Sequence, residues 1–295
     1  MTRGEQLRLI VKMSVPSIMA QISSVLMFFI DAAMVGHIGA RASASIGLVE
    51  TSTWLLGGLA SAASLGFSVQ VAHAIGANDM ERARRVLRQS IVCALIYSSC
   101  LALVGAAIHS HLPYWLGGSE EIARDASLYF LIVSLAGPLF QMAGLAGSML
   151  KCSGNMKIPS MLNIMMCVLD VIFKYIFIYV CDFGVPGAAL GTSLAYFTTA
   201  LAMMYFLLFR DRHLSLVDTK GSFRPTADCV RSAFKIGAPI ALQHVLMGGA
   251  QIVSTAIVAP LGIIAIAANT FAITVESICY MPGYGIAEAA TTLVG

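Results

Sequence analysis

An all-α integral membrane protein of about eight transmembrane helices is predicted by three observations. Of the 295 residues, 58% are apolar and only 11% charged, against about 45–50% and about 25% in soluble domains. Eight stretches reach the roughly 20 apolar residues that a helix needs to cross about 30 Å of hydrocarbon. Of the 18 Lys and Arg, 15 fall on alternate connections between those stretches. A chain with so little polar surface cannot cover itself in water, which excludes a soluble globular enzyme. Disorder requires the opposite composition, with low hydrophobicity and high charge.

The eight stretches run near 13–36, 47–75, 89–112, 124–149, 159–181, 186–209, 235–259 and 263–294. Turn chemistry separates them. The breaks are Gly39, the run Gly76-Ala77-Asn78-Asp79, Gly117-Gly118, Gly154-Asn155, Asp182 to Gly184, and Pro260 with Gly262. The first stretch is too long for the apolar core of a signal peptide, and no small-residue cleavage site follows it.

The basic residues give the orientation. Arg3, Arg8 and Lys12 precede the first span. Arg82, Arg84, Arg85 and Arg88, then Lys151 and Lys157, then the cluster from Arg210 to Lys235 lie on the same side by parity. Only Arg41 and Arg124 fall on the other side, and Lys174 lies within a span. Cytoplasmic loops carry the Lys and Arg excess. A multi-pass protein of the cell inner membrane with a cytoplasmic N-terminus is therefore expected. Topology accounts for the basic clusters, so no nucleic-acid partner is inferred.

Displacing the chain by 223 residues superposes Lys12 on Lys235, Pro16 on Pro239, Val35 on Val258, Gly39 on Gly262, Ala42 on Ala265, Ala44 on Ala267 and Thr51 on Thr274. Each copy reads basic residue, Pro, long apolar run, Val-x-x-x-Gly, then an Ala-rich helix start. Six spans, an even number, separate the two starts. The copies thus enter the membrane in the same direction, as in parallel repeats. The expected organisation is a six-helix lobe over 1–209, a basic cytoplasmic loop over 210–234, and the first two helices of a second lobe over 235–295. Two equal repeats give a complete protein of about 430 residues, so the chain is read as a truncated product or fragment.

Charge inside the spans carries the candidate chemistry. An ionised Asp at mid-bilayer costs about 2.5–3.5 kcal/mol on insertion scales, and intramembrane acids mark functional sites. Asp31 sits in the apolar run Met27-Phe-Phe-Ile-Asp-Ala-Ala-Met-Val, where a carboxyl must be protonated, paired or facing water. Asp170 lies about 17 Å along the fifth span from Pro159. Lys174 follows at i+4 on the same helix face. Two readings stay open for this pair: a neutralised pair that eases insertion, or an ammonium that holds Asp170 ionised until the geometry changes. Glu50 reads as an interfacial acid at the start of the second span. Glu276 and Glu288 occupy the eighth. Glu276 either attracts a cationic ligand or bonds unwound backbone near Pro282. Pro16 removes an N–H from the first span, which makes either a hinge or a packing kink. The seven Cys and six His show no ligand spacing. The 16 Met read as membrane core, with an adaptable ligand surface as the alternative.

Several of these segments, in order, resemble the multidrug and toxic compound extrusion (MATE) transporters. Pro16, Asp31-Ala-Ala-Met-Val-Gly-His-Ile-Gly39 and Gly76 to Asp79 resemble the family's first two spans. Lys151-Cys-Ser-Gly-Asn-Met-Lys-Ile-Pro159 looks like its fourth-to-fifth span loop, and Gly184-Val-Pro-Gly-Ala-Ala-Leu-Gly-Thr192 like the start of its sixth. Ala267-Ala-Asn-Thr270 and Gly283 to Gly295 resemble its seventh-to-eighth span region. The resemblance implies two six-helix lobes around a cleft, of which this chain covers about two thirds. It implies export of organic cations and amphipathic compounds by a monomer in the lipid bilayer, driven by proton or sodium influx with no cofactor. In the DinF-like branch coupling resides on an Asp of the first span and one of the fifth, which Asp31 and Asp170 match. The alternative Glu eight residues after Pro239 is Met247 here. The Asn one turn before the fifth-span Asp is replaced by Met166, the nearest being Asn163. With Lys174 present as well, this disfavours sodium. Glu276, Gln141 and Thr192 are the candidates for the substrate cleft. A lipid-linked oligosaccharide flippase of the same superfamily would be expected to place Arg mid-span, and none is there. Membrane enzymes need acidic metal motifs or His-Glu spacings, also not found.

Overall fold

The computed structural model describes residues 3–216, 221–276 and 283. Every regular element among them is a helix. The helices are α1 (Arg3–Ile38), α2 (Ala40–Gly76), α3 (Met80–Ile108), the short α4 (Leu112–Trp115), α5 (Glu120–Leu135), α6 (Gly137–Cys152), α7 (Lys157–Tyr175), α8 (Gly184–Tyr205), α9 (Ala227–Val258) and α10 (Ile263–Glu276). A π-helical turn, Ile176–Val180, continues α7, and another, Phe206–Arg210, continues α8. Six single helices are long and apolar enough to cross a membrane, and α5 with α6 makes a seventh. The remainder of the expected eighth span, including Glu288, lies outside the described residues.

The breaks fall where the turn residues sit. Gly39 and Gly262 take φ of 135° and 107°, in the left-handed region that glycine tolerates. Each begins the next helix by accepting a bond four residues on: Ser43 N–H to Gly39 at 3.2 Å, and Ile266 N–H to Gly262 at 3.2 Å. The two turns lie 223 residues apart, so the offset found in the sequence reappears as shared backbone geometry. Asp79 caps α3, its carboxylate accepting from Arg82 N–H at 3.0 Å, as a helix N-terminus favours.

Two expectations need correction. Span four is not one straight helix over 124–149: α5 and α6 bend by 45° at Ala136. Pro138 lies just beyond the bend and supplies no N–H to bridge it. Span two begins at Ala40 rather than 47, because small residues in Ala40-Arg-Ala-Ser-Ala-Ser45 lower hydropathy without opposing helix. Both Pro16 and Pro239 lie within helices, α1 and α9. The side chain of Pro16, the expected hinge, lies outside the described residues.

The connections sort onto two ends. At the basic end Arg84 Nε donates to the His213 carbonyl at 3.0 Å, and Ser153 Oγ to Asp211 at 2.8 Å. Thr226 donates to Gln89 there, and Gln70 to the Cys229 carbonyl. At the opposite end Arg41 meets Glu121 at 2.8 Å. The basic-end core joins α2, α3, α6 and α8 around Val71, Leu87, Leu145, Met149 and Met203. At the opposite end Leu48, Ile122 and Phe130 form a second core with Ile266 of α10. Among the described residues six methionines are buried, Met27, Met142, Met149, Met156, Met166 and Met203, which matches the membrane-core reading for those residues.

Candidate functional site

Helices α1, α7 and α8 pack side by side and bring together the charges that the sequence placed far apart. Lys174 Nζ lies 2.6 Å from Asp31 Oδ2 and 2.9 Å from Asp170 Oδ2. The Asp170 contact is the expected i,i+4 pair. The Asp31 contact is new: 143 positions separate the two residues, and only the α1–α7 packing joins them. The side chains of Asp170 and Lys174 are 1% and 7% exposed and that of Asp31 19%. Asp31 Oδ1 and Asp170 Oδ1 are buried with no hydrogen-bond partner among the described residues. Two carboxylates and one ammonium leave a formal charge of −1, so a single proton neutralises the site.

The approach of the helices depends on one glycine. A Cβ on Gly191 of α8 would stand 2.7 Å from Lys174 Cγ and 2.8 Å from its backbone N. Gly191 therefore lets α8 lie directly on α7 at the ammonium. The π-helical turn Ile176–Val180 begins two residues later, an irregularity often found at functional sites.

The charged layer is enclosed between two apolar ones. On the basic-end side lie Met27, one turn before Asp31, Met166 and Cys167, about one turn before Asp170, and Ala195. On the other side lie Val35, one turn after Asp31, Ile178, one turn after Lys174, and Val185 with Ala188. Between apolar layers an unpaired charge is costly and a paired one is held firmly.

Glu50 is not interfacial. It lies ten residues into α2, about 15 Å from its start, and within electrostatic reach of Asp31 and Lys174. Tyr129 of α5 and Tyr196 of α8 are within the same reach of the cluster, and Tyr196 meets the Phe140 ring edge-on at 4.4 Å between centroids. No motif singles these residues out. A helical wheel of α2 begun at Ala40 would have placed Glu50 deep in the span.

The remaining candidates do not join the cluster. Asn163 is half-buried on α7, seven residues or about 10 Å before Asp170. Gln141 is 2% exposed, with Nε2 donating to Ser64 Oγ of α2 at 2.9 Å. It lies in the α2–α6 contact and not on an open cleft surface. Thr192 is half-buried beside Gly191, and Glu276 is exposed at the end of α10. No group of three or more His, Cys, Asp or Glu able to hold a metal ion occurs among the described residues.

The helices α9 and α10 meet the first part of the chain along α2. A Cβ on Gly237 of α9 would stand 2.9 Å from the Ala62 carbonyl oxygen, and one on Gly66 would collide with the Ala233 carbonyl. Small residues here let the two backbones touch, as in membrane helix pairs generally.

Comparison with known proteins agrees with this architecture. The "Probable multidrug resistance protein NorM" of Thermotoga maritima is 26% identical over 97% of this chain and 62% of its own length. The "Multidrug export protein MepA" of Staphylococcus saprophyticus is 24% identical over 95% of this chain and 62% of its own. The chain thus spans a little over three fifths of the length of these relatives. Among solved structures, a MOP superfamily transporter from Pyrococcus furiosus, described as having a binding pocket of reverse polarity that suggests a different function, superposes with a TM-score of 0.86. It is 26% identical and covers 99% of this chain and 66% of its own. The outward-facing conformation of a multidrug resistance MATE family transporter has the same fold, with a TM-score of 0.86 at 24% identity over 99% of this chain and 66% of that one. The sequence model of the family described as MatE matches residues 16–176, more than half of the chain and the whole stretch from Pro16 through Asp31 and Asp170 to Lys174. This chain is a member of the MatE family of membrane transporters.

Proposed function

We propose that the protein containing this chain is a secondary antiporter of the DinF-like branch. It exports cationic or amphipathic organic compounds against proton influx, by alternating access. The observation that carries this reading is the largely buried site of two carboxylates on different helices sharing one ammonium. A proton arriving at Asp31 cancels the charge that binds α1 to α7, so uptake of the coupling ion and movement of a helix become one event. A carboxyl held by an ammonium between two apolar layers exchanges protons more readily when the helices part, which couples ion entry to conformation. Residues 1–209 act as the N-terminal lobe, 210–234 as the basic linker and 235–295 as the opening of the second lobe. The multidrug relatives support the substrate class, and the basic-end loops support a cytoplasmic N-terminus in the inner membrane.

The test is efflux of a cationic dye from vesicles carrying the protein as its gene encodes it, with a pH gradient as the only driving force. Asp31→Asn keeps the size and most hydrogen bonding of the side chain but cannot exchange a proton. It is expected to reduce efflux to background while the protein remains folded. Normal efflux by this variant would remove Asp31 from the coupling path. Cysteine probes at Arg84, Lys151 and Arg224 are expected to resist labelling from outside the cell, and labelling of any of them would overturn the assigned orientation.

A further inference from the structure

Lys174 occupies the position between two intramembrane carboxylates that a free cation would otherwise fill. Its ammonium contacts Oδ2 of Asp31 at 2.6 Å and Oδ2 of Asp170 at 2.9 Å. Its two partners are not equivalent. Asp170 is on the same helix one turn away, so that pair survives any movement of α7 as a body. Asp31 is on α1, so that pair exists only while α1 and α7 stay together. Gly191 presses the α8 backbone against the Lys174 stem, and the side chain has little freedom to swing out. The titratable groups facing the cluster are Glu50 from α2, Tyr129 from α5, Tyr196 from α8 and Cys167 from α7 itself. None is a second cation, so the ammonium is the only positive charge near the site among the described residues.

We infer that Lys174 is a tethered substitute for a metal cation: it permanently neutralises Asp170, leaves Asp31 as the exchangeable acid of the two it contacts, and closes the site to sodium. This inference rests on the antiport reading, since it concerns which ion that reading employs. Its consequences follow from charge. With Lys174 in place the site takes one proton, and a sodium ion would have to displace an ammonium that cannot leave. With Lys174 made neutral the site would hold two facing carboxylates with an empty position between them. Such a position suits a small hard cation with oxygen ligands.

The experiment measures melting of the purified protein, as its gene encodes it, against sodium chloride at constant ionic strength, with choline chloride as the replacement salt. Sodium binding is read this way without transport, so failure of this inference and failure of the antiport reading are distinguishable. Wild type is expected to show no sodium-specific shift. Lys174→Met and Lys174→Gln are expected to melt lower in choline and to regain stability with sodium in a saturable manner, at sodium concentrations that leave wild type unshifted. Lys174→Arg, which keeps the charge, should remain indifferent to sodium. A saturable sodium shift in wild type overturns the inference, as do neutral variants that fold and stay indifferent. If neither neutral variant folds, infrared titration of wild type decides: one carboxyl signal that disappears in Asp31→Asn supports the assignment, and a signal that persists in Asp31→Asn overturns it.

Discussion

The α2–α9 contact and the α1–α7 contact are both close, buried and between membrane helices, yet they are made of opposite materials. Along α2–α9 the backbones touch through Gly66 and Gly237, with the Ala62 and Ala233 carbonyls opposite. Backbone packing and a hydrogen bond from Gln70 to the Cys229 carbonyl hold that seam, where His244 of α9 also packs against Gly58 of α2. Between α1 and α7 the decisive contact is Lys174 to Asp31, a bond that one proton can cancel. The difference separates what must remain assembled from what can be switched. Packing complementarity is insensitive to ions, whereas a buried ion pair carries a large electrostatic energy that protonation removes.

The largest expected effect breaks the shape-held seam. Gly66→Leu drives a side chain into the Ala233 carbonyl, a backbone group that cannot give way. Overpacking of a side chain against its neighbours typically costs 1–3 kcal/mol and occasionally more, and a whole side chain driven into backbone here is expected to prevent assembly of α9 on α2. The expected readout is loss of monodisperse protein in size-exclusion profiles, while Gly57→Ala, with nothing within 4 Å of its added Cβ, should behave as wild type. Equal tolerance of both changes would mean that the seam is not close-packed.

Next comes the charge-held contact. Lys174→Met in sodium-free medium leaves two carboxylates buried without their counter-ion, and breaking a buried pair costs about 3–5 kcal/mol. Asp170→Asn should cost less, about 1–3 kcal/mol, because Lys174 keeps Asp31 as a partner. Urea or thermal melts of the two variants give the order, and a reversed order would place the ammonium's main partner on its own helix. Combining the two changes should recover part of the stability without recovering efflux driven by a pH gradient. The smallest effect is expected at the exposed Arg41–Glu121 pair, whose side chains are 69% and 53% exposed. Arg41→Ala should shift stability by less than about 1 kcal/mol, and the same melts check it.

How much of this was legible beforehand depended on the range of each interaction. Asp170 and Lys174 could be paired from spacing, because i and i+4 share a helix face whatever surrounds them. The partnership of Lys174 with Asp31 could not, since it depends on which face of α1 meets α7. Glu50 escapes a hydropathy reading for a local reason: hydropathy dims over the small residues from Ala40 to Ser45, so the apolar stretch starts near 47, beside Glu50. Gln141 looked available to a ligand, and packing of α6 on α2 buried it against Ser64. The bend at Ala136 had its cause in view at Pro138, but a proline alone does not say whether neighbouring helices will accept a kink.

The sequence by itself determined the membrane-spanning helical class, the alternation of basic and nearly neutral ends, and the 223-residue offset between Gly39 and Gly262. Each is set by composition or by a residue's own backbone preference, and such properties act locally. Only the tertiary structure decided that one ammonium serves two carboxylates, that apolar layers flank them, and that Gly191 packs α8 against the Lys174 stem. Those facts depend on helix rotation and crossing, which arise from the simultaneous packing of many side chains. The identity of the charged residues was written in the chain, and their partnership came from the packing of helices distant in sequence.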